Sequence, residues 1–152
     1  MQDSADNFRT TFIFGAPNET PRGWELSLEH FAAALLRRDP DAFTHMMSSP
    51  LLGDMLTFTF RTSEGEREGN AGPDPDGVGL NDCTAGEAAE FAQWLRQEIV
   101  PPGASIDFNI RPAAEVDLPN RRLSDPVNAE VVLSELLAYV RDILAAQERG
   151  EM

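Results

Sequence analysis

The sequence contains no lysine: its twelve basic residues are all arginine, and 26 aspartates and glutamates give a formal net charge of −14. Phosphate groups are contacted mainly by lysine and arginine in basic patches, so this balance argues against binding to nucleic acid or to anionic membranes. An acidic surface suits a basic protein partner or a cation, and it also serves solubility alone. We therefore expect any partner to be a basic protein.

Cysteine is almost absent, with Cys83 as the single example. A lone cysteine excludes an intramolecular disulfide and a cysteine-based zinc site. Cys83 directly precedes a predicted helix, a position that can lower a thiol pKa. Because no histidine stands nearby in the sequence to act as a base, we predict that Cys83 packs as a small apolar residue.

Long apolar runs are also missing. No stretch approaches the roughly 20 residues of a membrane span, and the first residues, "MQDSADNFRT", have neither the basic nor the apolar region of a secretory signal. We therefore expect no membrane association and a cytoplasmic location.

The common catalytic motifs do not occur. The sequence has no GxSxG, HExxH or CxxC pattern and no phosphate-binding glycine loop. Neither His30 nor His45 has a second histidine at metal-ligand spacing, so both are predicted to be structural or surface residues. We predict a protein without enzymatic activity and without a cofactor, with an unfamiliar carboxylate-based enzyme as an alternative.

The acidic stretch "DPDGVGLND", residues 74–82, invites a calcium interpretation because aspartates supply hard oxygen ligands. Read as an EF-hand loop from Asp74, it places Val78 at position five and Ala85 at position twelve, where oxygen ligands are required. We therefore predict a turn that leads into a strand, and no metal site.

Apolar residues that alternate with polar ones predict the strands. This pattern occurs over residues 8–14, 55–62 and 105–111, and a shorter strand is predicted around Val78 and Leu80. The stretch "SEGEREGNAGPDPDG", residues 63–77, is rich in glycine, proline and acid. It predicts a long mobile connection, with an edge strand near Arg67 as an option.

Capping signals predict where the helices begin. Ser27 precedes one helical pattern, Thr84 and Glu87 form a capping box before a second, and Asp125-Pro126 opens the last. Asp39-Pro40 predicts a short additional helix through "DAFTHMM".

Together these elements predict one α+β domain over residues 8–147, between flexible termini at 1–7 and 148–152. The sheet is expected to be mixed or mainly antiparallel with helices on one face, because two strands alternate cleanly between apolar and polar residues. Residues 77–110 form a strand-helix-strand unit whose strands are either parallel neighbours or separated by another strand. Without the short helix and the last helix, the order of elements is ferredoxin-like.

Residues 79–109, "GLNDCTAGEAAEFAQWLRQEIVPPGASIDFN", resemble small acidic uncharacterised proteins of high-GC actinobacteria. This likeness covers about a fifth of the chain and carries no catalytic motif. In overall profile the chain is similar to the immunity proteins of bacterial toxin systems, which are often small, acidic, cytoplasmic α+β domains. That resemblance implies a non-enzymatic inhibitor that neutralises a toxin.

We predict a protein-binding domain whose favoured partner is a basic toxin domain. An acidic surface is steered to a basic groove and is held there by charge-assisted hydrogen bonds. The residues predicted to bind the partner are Glu64, Glu66, Glu68, Asp74, Asp76, Asp107 and Asn109. The last two are expected on the solvent-exposed face of the sheet.

Two alternatives remain. A small-molecule-binding protein would need a concave pocket, expected near Arg61, Asp107 and Arg111. An oligomer-forming module would place Trp24, Trp94 or the methionine-rich "HMMSSPLLGDML" at a symmetric interface, although core filling is the commoner role of methionine. The protein is expected to be a monomer or a weak dimer.

Overall fold

The computed structural model describes residues 4–18, 23–51, 53–73, 76–124 and 128–151. Seven strands and five helices lie within these ranges. The strands are β1 (Thr10–Gly15), β2 (Thr44–Ser49), β3 (Gly53–Thr62), β4 (Gly65–Pro73), β5 (Asp76–Cys83), β6 (Asp107–Ile110) and β7 (Arg121–Arg122). The helices are α1 (Ser4–Asn7), α2 (Leu28–Arg38), α3 (Ala85–Glu98), α4 (Arg111–Ala114) and α5 (Ala129–Glu148).

The strands form one antiparallel sheet in the order β2-β3-β4-β5-β1-β6-β7. In the predicted strand-helix-strand unit, β1 lies between β5 and β6, which confirms the split arrangement. The run β6-β1-β5-β4 has the ferredoxin-like order, and β3 and β2 extend the sheet beyond β4. The predicted α+β class is therefore confirmed, with α5 as the added C-terminal helix.

The helices pack on one face of the sheet. α2 contacts β3 and β4, α3 contacts β1, β3 and β5, and α5 packs alongside α3. At the far end of the sheet, Tyr139 of α5 meets Phe108 of β6 edge to face, with ring centroids 5.4 Å apart. The helices thus cover the strands from one side, as the alternation of apolar and polar residues predicts.

Aromatic rings form the centre of the core between the helices and the sheet. Phe91 and Trp94 of α3 meet Phe31 of α2 and Phe58 and Phe60 of β3, with ring centroids 4.8 to 5.9 Å apart. All five rings are buried. Aromatic pairs at these separations stabilise a core beyond the effect of the area that they bury.

Three long helices begin at side-chain caps. Ser27 caps α2, and Thr84 and Glu87 form the predicted capping box of α3. α5 begins after Asn128, whose side chain caps it, while the start predicted at Asp125-Pro126 lies outside the described residues. Among the helices that the structure describes, none is long and apolar enough to cross a membrane.

The N-terminal residues include a helical turn where the sequence predicts flexibility. Ser4–Asn7 form α1, which contacts α3 and α5. Ala5 is fully buried in these contacts. The burial of Ala5 helps to anchor this segment, and one apolar residue is too short a signal for periodicity to reveal.

The glycine-rich residues 63–77 belong mainly to the sheet, so the prediction of a long mobile connection is wrong. A tight turn at Ser63 and Glu64 joins β3 to β4, and β4 pairs with both β3 and β5. The residues of β4 that face the helices include Gly69 and Ala71, which are buried despite their size. Two ladders of backbone hydrogen bonds, rather than large apolar side chains, define this strand.

Residues 41–47, predicted as a short helix, instead lead into β2, which pairs with β3 along its whole length. Asp39 is the C-cap of α2 and starts no new helix. The N–H of Phe43 donates to the Thr59 hydroxyl at 2.8 Å, and the Thr59 N–H donates to the Phe43 carbonyl at 3.0 Å. Pairing with the next strand therefore overrides the local Asp-Pro signal.

We expect that Gly69→Ala destabilises the fold by about 2 to 3 kcal/mol, because a side chain there overpacks the core. A Cβ at residue 69 would lie 2.5 Å from the Gly79 carbonyl oxygen and 2.5 Å from Cζ of Phe58. Gly72→Ala in the same strand is the control, since the nearest atom to its Cβ is the Asp54 carbonyl oxygen at 3.8 Å. Urea unfolding measures both variants. Equal free energies of unfolding for the two would contradict this account of β4.

Candidate functional site

The face of the sheet turned away from the helices carries polar side chains and glycines. In β1 and β3 large apolar residues enter the core at every second position, so the residues between them face outward. We call this surface the open face. Its outward side chains include Thr11, Ile13, Thr57, Thr59, Arg61, Glu66, Glu68, Asn70 and Asn81.

A shallow cavity of about 420 Å³ lies on the open face. The hydroxyls of Thr57 and Thr11 donate to the side-chain oxygens of Asn70 and Asn81, at 3.0 and 3.1 Å. Gly79 stands between these residues in the sheet and contributes no side chain. The lining comprises Thr10, Thr11, Asn70, Asn81, Asp82 and Arg111. Its amides, hydroxyls and charged side chains suit a small polar group better than an apolar one.

Three of the predicted partner-binding residues lie together where β3 turns into β4. Glu64 is in the turn, and Glu66 and Glu68 follow on β4 with their side chains on the open face. We call these three residues the acidic hairpin. Glu66 lies 3.3 Å from a guanidinium nitrogen of Arg61, whereas Glu64 and Glu68 have no ion-pair partner among the described residues.

Two glutamates of α3 hold the acidic hairpin in place. Ser63 donates its N–H and its hydroxyl to the carboxylate of Glu90, at 3.0 and 2.6 Å. The Thr62 hydroxyl and the Arg67 Nε lie 2.5 and 2.7 Å from the same oxygen of Glu87. Because both ends of the turn are bonded to one helix, the hairpin carboxylates project from a fixed backbone.

Glu87 is buried and serves two structures with one carboxylate. It accepts from the N–H of Thr84 at 3.2 Å, which completes the helix cap, and it faces the largely buried guanidinium of Arg67. The Arg67 Nε–H is poorly aligned with the carboxylate, so the contact is an ion pair more than a directed hydrogen bond. The sequence identifies Glu87 only as a capping residue, because its pairing with β4 is not local.

The environment of Glu87 favours its charged form. Burial raises the pKa of Glu87, but hydrogen bonds from Thr62 and Thr84 and the neighbouring Arg67 outweigh burial, so the pKa lies below its ordinary value of 4.5. A cavity of about 450 Å³ adjoins this cluster. It is lined by Asp6, Asn7, Arg9, Glu64, Arg67, Thr84 and Glu87.

The predicted residue Asp76 does not join the acidic hairpin. Asp74 lies outside the described residues. Asp76 pairs with Pro73 at the opposite end of β4 from Glu64. Nine residues of strand separate the two ends, about 26 Å at the usual rise per residue. A single small partner surface would therefore contact one end of β4 or the other.

Asp107 lies on the open face but is largely covered. Its carboxylate pairs with Nε of Arg122 of β7 at 2.9 Å. The pocket predicted near Arg61, Asp107 and Arg111 does not form as one site, because Arg61 on β3 and Asp107 on β6 are four strand spacings apart, about 19 Å. Arg111 alone of these three residues borders the open-face cavity.

Asn109 is buried, so the prediction that it lies on an exposed face is wrong. Its side-chain nitrogen donates to the Leu118 carbonyl and to the Asn120 side chain, both at 3.0 Å. Its side-chain oxygen accepts from the Tyr139 hydroxyl and from the N–H of Ile110, both at 2.8 Å. The segment after α4 folds over this end of the sheet, and Asn109 joins that segment to α5.

Within the part of the chain that the structure describes, each arginine has a partner in the fold. Most form ion pairs, as Arg9 does with Asp82 at 3.0 Å. Arg38 lies 4.0 Å from the centre of the Phe60 ring, and Arg96 donates to the carbonyl of Val100 at 3.0 Å. Most of the described cations are therefore paired within the fold, whereas Glu64 and Glu68 have no ion-pair partner among the described residues.

The histidines and acidic residues offer no metal centre among the described residues, where no three of His, Cys, Asp and Glu cluster at ligand distances. His30 Nε2 lies 2.9 Å from the Glu98 carbonyl oxygen, and the His45 ring stacks beside Phe43. Both positions agree with the structural or surface roles predicted for them.

Cys83 is buried at the junction of β5 and α3, as predicted. Burial, followed by the nearby charge of Glu87, raises the pKa of the Cys83 thiol to about 12. The thiol therefore stays protonated at neutral pH and is a poor nucleophile.

Neither the family models, the curated proteins nor the solved structures compared with this chain give a match. The geometry and the charge of the chain itself are therefore what point to its function.

We expect Glu87→Gln to lower the free energy of unfolding by about 3 kcal/mol at pH 7, because the buried Arg67 guanidinium loses its counter-charge. The pKa of Glu87 lies below 4.5 in the folded state, so its contribution is complete above that pH and is lost as the pH falls through the folded-state pKa. The difference between wild type and variant should therefore narrow below about pH 4.5.

Urea unfolding at pH 7, 5 and 3.5 measures this dependence. Glu98→Gln is the matched control, since Glu98 is exposed on the same helix. A loss of the same size at all three pH values would show that the charge of Glu87 is irrelevant.

Cys83 should resist alkylation by iodoacetamide at pH 8 in the folded protein and react fully in 6 M urea. Its reaction rate is expected to be at least about 100-fold below that of an unfolded cysteine, because the thiolate is both rare and inaccessible. Mass spectrometry of timed samples measures the rate. Rapid labelling without urea would contradict the burial of this junction.

Proposed function

We propose that this chain is a non-enzymatic protein-binding domain that presents its acidic hairpin to a basic protein. The favoured partner is a bacterial toxin domain, which the chain would neutralise as an immunity or inhibitor protein in the cytoplasm. The observation that carries the proposal is the combination, in Glu64 and Glu68, of unpaired carboxylates with a backbone fixed to α3.

A fixed hairpin backbone favours affinity because binding does not have to order it. Loop ordering and immobilised side chains cost free energy on association. Thr62, the last residue of β3, is hydrogen-bonded to Glu87, and Ser63, the first residue of the turn, is hydrogen-bonded to Glu90. The backbone of the acidic hairpin therefore loses its conformational entropy on folding, so binding of a partner does not have to order it again.

The charge distribution favours a basic partner. Most of the described arginines are paired with carboxylates of the fold, whereas Glu64 and Glu68 have no ion-pair partner among the described residues. A net charge of −14 accelerates encounter with a cationic surface, and salt weakens that attraction.

A toxin that acts on nucleic acid suits these properties. Such a protein needs a groove of lysine and arginine for the phosphate backbone. A strand that projects carboxylates at alternate positions would enter that groove and pair with its cations through charge-assisted hydrogen bonds. Occupation of the groove would exclude nucleic acid and so inhibit the toxin.

A small polar ligand is the second candidate, and the open-face cavity of about 420 Å³ favours it. Its volume lies in the usual range for ligand sites, but the cavity is shallow, so a ligand there would stay partly exposed. Binding there would involve Asn70, Asn81 and Arg111 and would not depend on the acidic hairpin. The two candidates therefore respond to different substitutions.

We expect the triple variant Glu64→Gln, Glu66→Gln, Glu68→Gln to associate with its basic partner about tenfold more slowly at low salt. Folding should change little, since exposed charges contribute little to stability. The test begins with a pull-down by the tagged chain from a lysate of the source organism, washed at low and then high salt. Surface plasmon resonance then measures association with the captured protein.

Glu29→Gln, Glu130→Gln, Glu148→Gln is the matched control, because it removes the same charge from exposed positions on the helices. The proposal requires that the control associates like wild type and that wild type inhibits the activity of the captured protein. Equal slowing by the two triple variants would show that net charge alone sets the association rate, and that the acidic hairpin is not the binding surface.

A further inference from the structure

Strand β2 forms one edge of the sheet, and the hydrogen-bonding groups of its outer side face away from β3. The Phe43 carbonyl accepts from the Thr59 N–H at 3.0 Å, so Phe43 and every second residue after it bond to β3. By the same alternation, Thr44, Met46 and Ser48 direct their N–H and C=O groups outward. This edge can accept another strand.

β2 lacks the sequence features that normally prevent an edge strand from pairing with another strand. Edge strands are usually blocked by charged side chains, proline or a bulge. The six residues of β2, "THMMSS", include no charged side chain and no proline. Their register with β3 runs without a shift from Thr44 to Ser49.

The edge is also apolar at its surface. Met46 and Met47 are 42% and 53% exposed, and Phe43 just before β2 is 54% exposed. Trp24 and Trp94, the other residues predicted for a symmetric interface, are buried in the core. The methionines of β2 are thus the apolar surface that a partner strand would cover.

We propose that β2 pairs antiparallel with β2 of a second copy of this chain, with the two-fold axis at Met46. In this register Met46 faces Met46 of the second copy, and Thr44 faces Ser48 of the second copy. The outward groups of Thr44, Met46 and Ser48 then form six hydrogen bonds, two for each of three residue pairs. On the open face, Met47 lies against the ring of His45 from the second copy.

Charge favours a second copy over a basic partner at this edge. β2 offers no carboxylate to a cation, whereas two neutral strands meet without repulsion. Asp54, on β3 opposite Ser48, lies about 19 Å from Asp54 of the second copy in the proposed register. That separation exceeds the Debye length of about 8 Å at physiological salt. The contact between β2 of the two copies (the seam) therefore brings no carboxylates close together, although each chain has a net charge of −14.

The other sheet edge does not compete for this role. β7 has only two residues, Arg121 and Arg122, and ion pairs with Asp142 and Asp107 hold both. Pairing of β2 with itself closes the assembly at two copies. Because the axis is perpendicular to the sheet, both open faces lie on the same side, and the dimer presents two acidic hairpins together.

Sedimentation velocity of the full chain from about 10 µM to 1 mM tests the dimer. We expect a dissociation constant on the order of 100 µM, because one strand pair buries less than the roughly 800 Å² per partner of a standard interface. Met46→Glu places like charges directly opposite each other and should weaken the dimer at least about tenfold. Leu51→Glu is the matched control, since Leu51 is 94% exposed outside the seam.

Higher salt should strengthen the dimer by screening the repulsion between the two acidic copies, opposite to its effect on a basic partner. A monomer mass at every concentration and salt would overturn the proposal, as would equal weakening by both variants. Circular dichroism of each variant separates loss of pairing from loss of folding.

Disulfide trapping tests the register. Under mild oxidation Met46→Cys should crosslink two copies, because residues on the axis face each other within the 7 Å that a disulfide can span. Thr44→Cys should not, since its equivalent in the second copy is about 13 Å along the strand. Native Cys83 is buried and does not interfere. Crosslinking through residue 44 but not residue 46 would overturn the proposed axis.

Discussion

The three long helices cover one face of the sheet, and this constraint determines most of the remaining structure. Each strand has to supply apolar residues to one side and residues compatible with water to the other. The aromatic cluster around Phe91 fills the covered side, while threonine, asparagine and glutamate occupy the open face. A surface available for binding is thus a consequence of the architecture, and its chemistry is set by which polar residues the strands place there.

Glu87 connects this architecture to the candidate site. Its carboxylate completes the cap of α3, neutralises Arg67 within the core and holds Thr62 at the end of β3. A buried ion pair is weak evidence for stability as such, because desolvation of the charges opposes their attraction. Its clearer effect here is to fix the positions of neighbouring elements relative to one another. The cap, β4 and the acidic hairpin are aligned by one side chain, and removal of that side chain affects all three.

The elements with local signals could be predicted from the sequence. Phe12, Phe14, Phe58 and Phe60 alternate with polar residues, and Thr84 has its capping partner three residues away. These signals come from residues close together in the chain, so they can be recognised without knowledge of the fold. The strands β1, β3 and β6 and the helix α3 were therefore accessible, together with the α+β class.

The features that could not be predicted depend on contacts between distant residues. β4 has glycine where a strand usually has a large apolar residue, and the ring of Phe58 on the neighbouring strand occupies that space. Asn109 alternates with apolar residues in the sequence, which predicts an exposed side chain, but Tyr139 and the segment after α4 cover it. Among the predicted partner-binding residues that the structure describes, the three of the acidic hairpin lie together, because a hairpin brings neighbours in sequence together in space.

The two proposed surfaces differ in the free-energy term that drives association. At the acidic hairpin, attraction between opposite charges acts over a distance, so it governs the rate of encounter. At β2, backbone hydrogen bonds and the burial of methionine act only on contact, and the charge of the chain opposes approach. A strongly acidic protein can therefore bind a cationic partner quickly and pair with itself weakly without conflict, provided that the self-pairing strand is neutral. "THMMSS" meets that condition.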